Sequence, residues 1–144
     1  MHRIKIALAV VLICVAGIFL VYAMTSSFVL RNIGAVKAIG VGVYWDATCS
    51  QAVSAIDWGI LEPNASKNVT VYVRNEGNSA ITLSLQTANW NPLNASDYVF
   101  LSWDYGGQAI AANSVIPVVL TLSISPNIQG VKSFSFDIII SASG

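Results

Sequence analysis

The chain runs without a charge from Ile6 to Leu30, and its residues are apolar as far as Met24. After Ala38 apolar residues recur at every second position between clusters of Gly, Pro, Asn and Ser. An unbroken apolar run predicts a segment that crosses a bilayer, whereas a period of two predicts half-buried strands. The strictly apolar part, from Ile6 to Met24, is 19 residues long. As a helix it would measure about 28 Å, close to a hydrocarbon core of about 30 Å. The expected organisation is therefore a basic flank and transmembrane signal anchor over residues 1–30, a linker over 31–37, and a strand domain over 38–144.

Within the domain, Ile39, Val41, Val43 and Trp45 alternate with Gly40, Gly42, Tyr44 and Asp46 and predict a first strand. Ile56 and Trp58 mark a short second one before the turn Glu62-Pro63-Asn64-Ala65-Ser66. Val69, Val71 and Val73 alternate with Asn68, Thr70, Tyr72 and Arg74 in the clearest strand of the chain, and Asn75-Glu76-Gly77-Asn78 turns it. Ile81, Leu83 and Leu85 make a fourth strand, which stops before Pro92 because proline has no N–H for a ladder. Val99 to Trp103, Ile116 to Ile124 and Phe134 to Ile140 complete the set. Strands at this spacing, with no stretch of helical period, predict an all-β fold: an immunoglobulin-like antiparallel β-sandwich of about seven strands. The same phase assigns Trp45, Trp58 and Trp103 to the core and turns Tyr44 and Tyr72 outward.

The stretch from Ile56 to Asn78 joins a leucine, a proline turn, a polar strand start and V-x-V-x-N-x-G. It resembles the opening strands of immunoglobulin-like surface domains of archaeal and bacterial exported proteins. With the apolar N-terminal run and the Phe-rich final strand, the chain looks like the small membrane-anchored surface proteins of archaea. The resemblance implies fold and compartment rather than an activity. Where the family pattern has Gly in the proline turn, this chain has Asn64, which suits a turn and creates a sequon.

Charge narrows the function. Hydrophobic types make up 55% of the chain and charged types 10%, with seven basic and seven acidic residues. Without a basic excess there are no counterions to release from a polynucleotide, so nucleic acid is not an expected partner. Beyond Ala38 all seven acidic residues face only Lys67, Arg74 and Lys132, which leaves the domain acidic. The lone histidine is His2 and the two cysteines are Cys14 and Cys49, too few groups for a zinc site or for nucleophilic catalysis. No G-x-S-x-G, H-E-x-x-H or Gly-rich phosphate loop occurs, and nothing in the spacing selects Glu62 and Glu76 as a hydrolytic pair. The expectation is a protein without catalysis and without a cofactor. Asp46, Asp57, Asp97 and Asp104 lie near predicted strand ends, but no D-x-D-x-D-G loop is present and aspartate there is a routine turn residue.

Three N-x-[ST] sequons, at Asn64, Asn68 and Asn94, exceed the about one or two that chance would place in such a composition and point to an exported domain. Cys14 falls in the apolar run and Cys49 in the domain, so no disulfide within the domain is expected; Cys49 reads as a small buried or turn residue, with an intermolecular disulfide as the alternative. A candidate binding surface is offered by Tyr44, Tyr72 and Tyr105 with Asp46 and Asp104 nearby in sequence. The expected role is structural or protein-interacting at the cell envelope, the bilayer being held through the run from Ile6 to Met24, and other envelope proteins or further copies of the chain being the partners. Two alternatives remain. One is a pilin-like filament subunit, against which Lys5 is followed by Ile6 rather than by a small residue. The other is a glycan-binding module, which needs exposed ring faces. A cleaved signal peptide, with Val21-Tyr22-Ala23 as its cut site, is the alternative to an uncleaved anchor.

Overall fold

The computed structural model describes residues 32–144; the readings that concern Met1 to Arg31, including the run from Ile6 to Met24 and Cys14, lie outside the described residues. The chain forms strands β1 (Ile33–Ile39), β2 (Gly42–Tyr44), β3 (Ala55–Asp57), β4 (Ser66–Arg74), β5 (Thr82–Asn91), β6 (Val99–Trp103), β7 (Val115–Ile124) and β8 (Ser135–Ser143). A 3-10 turn, Leu93–Asp97, joins β5 to β6. The strands build two four-stranded sheets, ordered β3-β1-β8-β5 and β2-β4-β7-β6, in a sandwich-like all-β fold. All pairings are antiparallel except β1 with β8. Among the described residues no helix is long and apolar enough to cross a membrane.

Period-two patterning explains the core. Val71 and Val73 of β4 lie opposite Val118 and Ile116 of β7, while Ile138 and Ile140 come from β8 of the other sheet. Val71, Val73, Val118, Leu120, Leu122, Ile138 and Ile140 are fully buried. Each such side chain contributes roughly 1.5–3 kcal/mol of transfer free energy, so the two facing rows dominate the stability of the domain.

Three expectations need correction. Residues 33–37, placed in the expected linker, belong to a strand: β1 begins at Ile33 and pairs with β8 from Ser135 to Ser141. Its one fully buried position, Gly34, is small because space is short there. A Cβ on Gly34 would stand 2.8 Å from Ile138 Cδ1 and 3.2 Å from Trp58 Nε1, so this strand carries no visible hydrophobic alternation. Second, the described residues form eight strands where about seven were expected, and the predicted strand from Ile39 to Trp45 is divided between two. Gly40, at φ +76° with Ala142 Cβ close by, breaks it and sends the chain from one sheet to the other. Third, Trp45 is not core. β2 ends at Tyr44, the chain bends, and the indole is 39% exposed. Trp58, by contrast, is completely buried, and Trp103 packs partly buried against the core.

Gly34→Ala is accordingly expected to destabilise the domain by about 1–3 kcal/mol, the usual cost of overpacking. Chemical denaturation followed by Trp58 fluorescence measures it. An unchanged midpoint would show that Ile138 yields freely.

Two buried asparagines tie the ends of the sandwich. Asn32 donates from Nδ2 to the Gly59 carbonyl at 2.8 Å and accepts from the Phe134 N–H at 3.1 Å, joining the start of β1 to the loop after β3 and the start of β8. At the opposite end, Asn75 donates to the carbonyls of Ser79 at 2.7 Å and Ile110 at 2.9 Å and accepts from the Gly77 N–H at 3.0 Å. Its two donors and its acceptor are satisfied, as burial of an amide requires.

Candidate functional site

The outer face of the β2-β4-β7-β6 sheet collects the residues best suited to recognition. The β2/β4 register sets Tyr44 opposite Tyr72 and Gly42 opposite Arg74, and Tyr72 has Pro117 of β7 on its other side. Alternation along β4 puts Tyr72 and Arg74 on the face away from buried Val71 and Val73. The Tyr44 hydroxyl donates to Glu76 Oε1, and that hydrogen bond, with Glu76 negative, holds the phenol above its ordinary pKa. Gly42 makes this reach available, since a Cβ there would run into both the Tyr44 ring and the Glu76 carboxylate. The ring thus lies along the strand over a glycine. Arg74 Nε is buried without a hydrogen-bond partner. Exposed Trp45 follows directly in the chain.

Beside this face, Asp46 organises the loop from Trp45 to Gln51. Its Oδ1 accepts from the N–H groups of Ser50 and Gln51, each at 3.0 Å, and its Oδ2 accepts from the hydroxyls of Ser50 and Thr48. Those bonds, the Ser50 hydroxyl first, hold the carboxyl down at about 2. Cys49 occupies the left-handed region at φ +58° in this loop and is a free, half-buried thiol. Asp46 is therefore a loop organiser with its acceptor positions taken. A carboxyl titration by NMR is expected to place its midpoint near 2, against an ordinary value of about 3.9. Because the folded pKa is depressed, the stabilisation is present above the unfolded value and is lost as pH falls through about 2. Ser50→Ala should raise the midpoint; no movement would remove the hydroxyl as the cause.

The other two sequence candidates stand elsewhere and are occupied. Asp104 donates its N–H to the Val119 carbonyl at 3.2 Å and accepts from the Val119 N–H at 2.8 Å through Oδ1, extending the β6/β7 ladder by one rung. Tyr105 donates its hydroxyl to the Gln108 carbonyl, accepts from the Leu83 N–H of the other sheet at 3.1 Å, and packs edge-on to Trp103. It is a brace between sheets. Of the five candidates, then, the structure brings Tyr44 and Tyr72 together with Asp46 in the adjoining loop, and places Asp104 and Tyr105 apart. Sequence reasoning left Arg74 and Glu76 out of the site; alternation along β4 already set Arg74 on the phase of Tyr72, but only the β2/β4 register and the Tyr44–Glu76 hydrogen bond bring Tyr44 to them.

All three sequon asparagines are exposed. Asn64 sits in the left-handed region of a tight turn, at φ +64°; Asn94 lies in the 3-10 turn; Asn68, in β4, accepts from the Thr121 hydroxyl at 2.9 Å. Among the described residues no three His, Cys, Asp or Glu side chains converge as metal ligands would. A cleft of about 150 Å³ opens at the Asn32 end of the sandwich, between Leu61, Ile128, Val131 and Phe134. No family model matches the chain. No curated protein matches it either.

Proposed function

We propose that the chain is a single-pass, N-terminally anchored membrane protein that displays an immunoglobulin-like β-sandwich outside the cell. There it binds other envelope proteins or further copies of itself, without catalysis, cofactor or nucleic acid. The uncharged run from Ile6 to Met24 supports the anchor, and the three exposed sequons, with Asn68 on the outward phase of β4 as the foremost acceptor, support export. The resemblance of the stretch from Ile56 to Asn78 to immunoglobulin-like surface domains supports the finer fold assignment. The observation that carries the interaction role is the grouping of Tyr44, Tyr72 and Arg74 on one sheet face, with exposed Trp45 next in the chain. Tyr, Trp and Arg are the residue types that dominate binding energy at protein interfaces. Cross-linking in native membranes followed by capture of the full-length protein tests it. Tyr72→Ala and Arg74→Ala are each expected to cut partner recovery about tenfold or more, the loss that an anchor residue costs. Recovery equal to that of the unaltered protein would overturn the assignment of this face.

A second reading, glycan binding, is favoured by one observation, the Tyr44 ring lying along the strand over Gly42. Sugar rings stack on such a surface. Titration with soluble oligosaccharides distinguishes the two, since a sugar would shift the Tyr44 ring resonances and a protein-specific surface would leave them in place.

A further inference from the structure

The two most exposed large apolar side chains among the described residues are Leu93, at 78%, and Ile60, at 68%. They are 33 positions apart in the chain, yet the topology puts both at one end of the sandwich. Gly59, the neighbour of Ile60, accepts through its carbonyl from Asn32, the residue just before β1. The 3-10 turn that carries Leu93 connects Asn91, paired with Ser135 at the start of β8, to Val99, paired with Ile124 at the end of β7. The same end holds the cleft between Leu61, Ile128 and Val131, with Lys132 on its rim. The opposite end, around the turn after β4, presents Glu76, Gly77, Asn78, Ser79 and Ala80. The two largest apolar exposures among the described residues thus lie where the chain emerges at Asn32, while Ile39, 58% exposed, closes β1 at the other end.

What lies before Asn32 in the sequence says what would cover this end. Only seven residues separate Met24, the last of the apolar run, from Asn32. Fully extended they reach roughly 25 Å. If that run spans the bilayer, the Ile60 and Leu93 loops are tethered within a short distance of the headgroups, where isolated apolar side chains partition into the boundary between headgroups and acyl chains. We propose that this end of the domain is a membrane-contacting surface, with Ile60 and Leu93 dipping into the outer leaflet and Lys132 at headgroup level. The inference rests on the anchored reading of the chain and adds to it an orientation: the Tyr44 and Tyr72 face stands upright, lateral to the membrane, and the turn at Asn78 points away. It also decides among the sequons. Asn94 adjoins Leu93, so a bilayer there leaves no room for a glycan, whereas Asn68 in β4 stays accessible.

The test uses the full-length protein in phosphatidylcholine vesicles that carry lipid with a nitroxide near the top of the acyl chain. Cys14 and Cys49 are replaced by Ser, and a bimane fluorophore is placed in turn at Ile60→Cys, Leu93→Cys and Asn78→Cys, all exposed positions whose replacement leaves the core intact. Quenching at 60 and 93 is expected to exceed that at 78 at least threefold, with blue-shifted emission at the first two. An alkaline carbonate wash is run on the same vesicles. Release of the protein overturns the anchored reading and this inference with it; retention with equal quenching at all three positions overturns this inference alone. A glycan on Asn94 of native protein would overturn it as well.

Discussion

Val71→Asp is expected to cost about 4 kcal/mol or more, the penalty for placing a carboxylate without partners among apolar neighbours. Val71 is fully buried in β4, opposite Val118 and two rungs from the buried Val73 and its partner Ile116, on a phase that is apolar from Val69 to Val73. Typical domains hold only about 5–15 kcal/mol. For a domain of this size such a loss lowers Tm by roughly 15–30 °C, when it leaves a folded state to melt at all. Thr70→Asp, one residue earlier on the exposed phase, should stay within about 1 kcal/mol, the span of strand preferences at a solvated site. Thermal melts followed by circular dichroism make the comparison. Equal melting of the two variants would contradict the facing of β4.

Asn75→Asp is the second large effect, and its size changes with pH. The native amide donates to two carbonyl oxygens, those of Ser79 and Ile110. A carboxylate of the same shape loses both donors and sets its charge against those oxygens, while only the Gly77 N–H continues to favour it. The expected cost at neutral pH is about 3–5 kcal/mol, in the range for breaking a buried polar network. Protonation restores one donor. The folded pKa of the introduced acid must therefore lie above its unfolded value of about 3.9. Where the folded form binds more protons, stability falls as pH rises. The variant is thus expected to be closest to the native protein below about pH 4 and to lose ground as pH climbs through the raised folded pKa. Asn75→Ala supplies the reference, because it lacks the titrating group but leaves the same carbonyls unpaired. Urea denaturation of the two from pH 3 to 7 checks it: a constant difference between them would mean that the site is open to water.

The contrast between these two sites shows which features were legible from residue order. Val71 could be assigned to the core because alternation along nine residues of β4 is a local property, imposed by a pleat that sends neighbouring side chains to opposite faces. Asn75 read only as part of a turn. Its role comes from the carbonyl of Ile110, 35 positions away, which no local pattern reveals. Trp45 failed for a related reason. Its phase matched Val43, but phase persists only while the strand does, and β2 stops at Tyr44. Tyr105 likewise looked like a free aromatic in a glycine-containing loop until the other sheet's Leu83 N–H was found to claim its hydroxyl.

Residue order was sufficient for the all-β class, most of the strands and the inward rows of β4, β7 and β8, since hydrophobic burial at period two needs no knowledge of partners. It was also sufficient for the exposure of the three sequons, which sit in turns or on an outward phase. Tertiary structure alone decided that residues 33–39 are a strand, because the glycine at its buried position answers to Trp58 and Ile138 pressing from elsewhere in the fold and interrupts any periodicity of its own. It decided too that Tyr44, Tyr72, Arg74 and Glu76 share one face, and that Ile60 and Leu93 share one end. Those groupings depend on register and sheet order, which are set by the sum of many long-range contacts and not by the neighbours of any one residue.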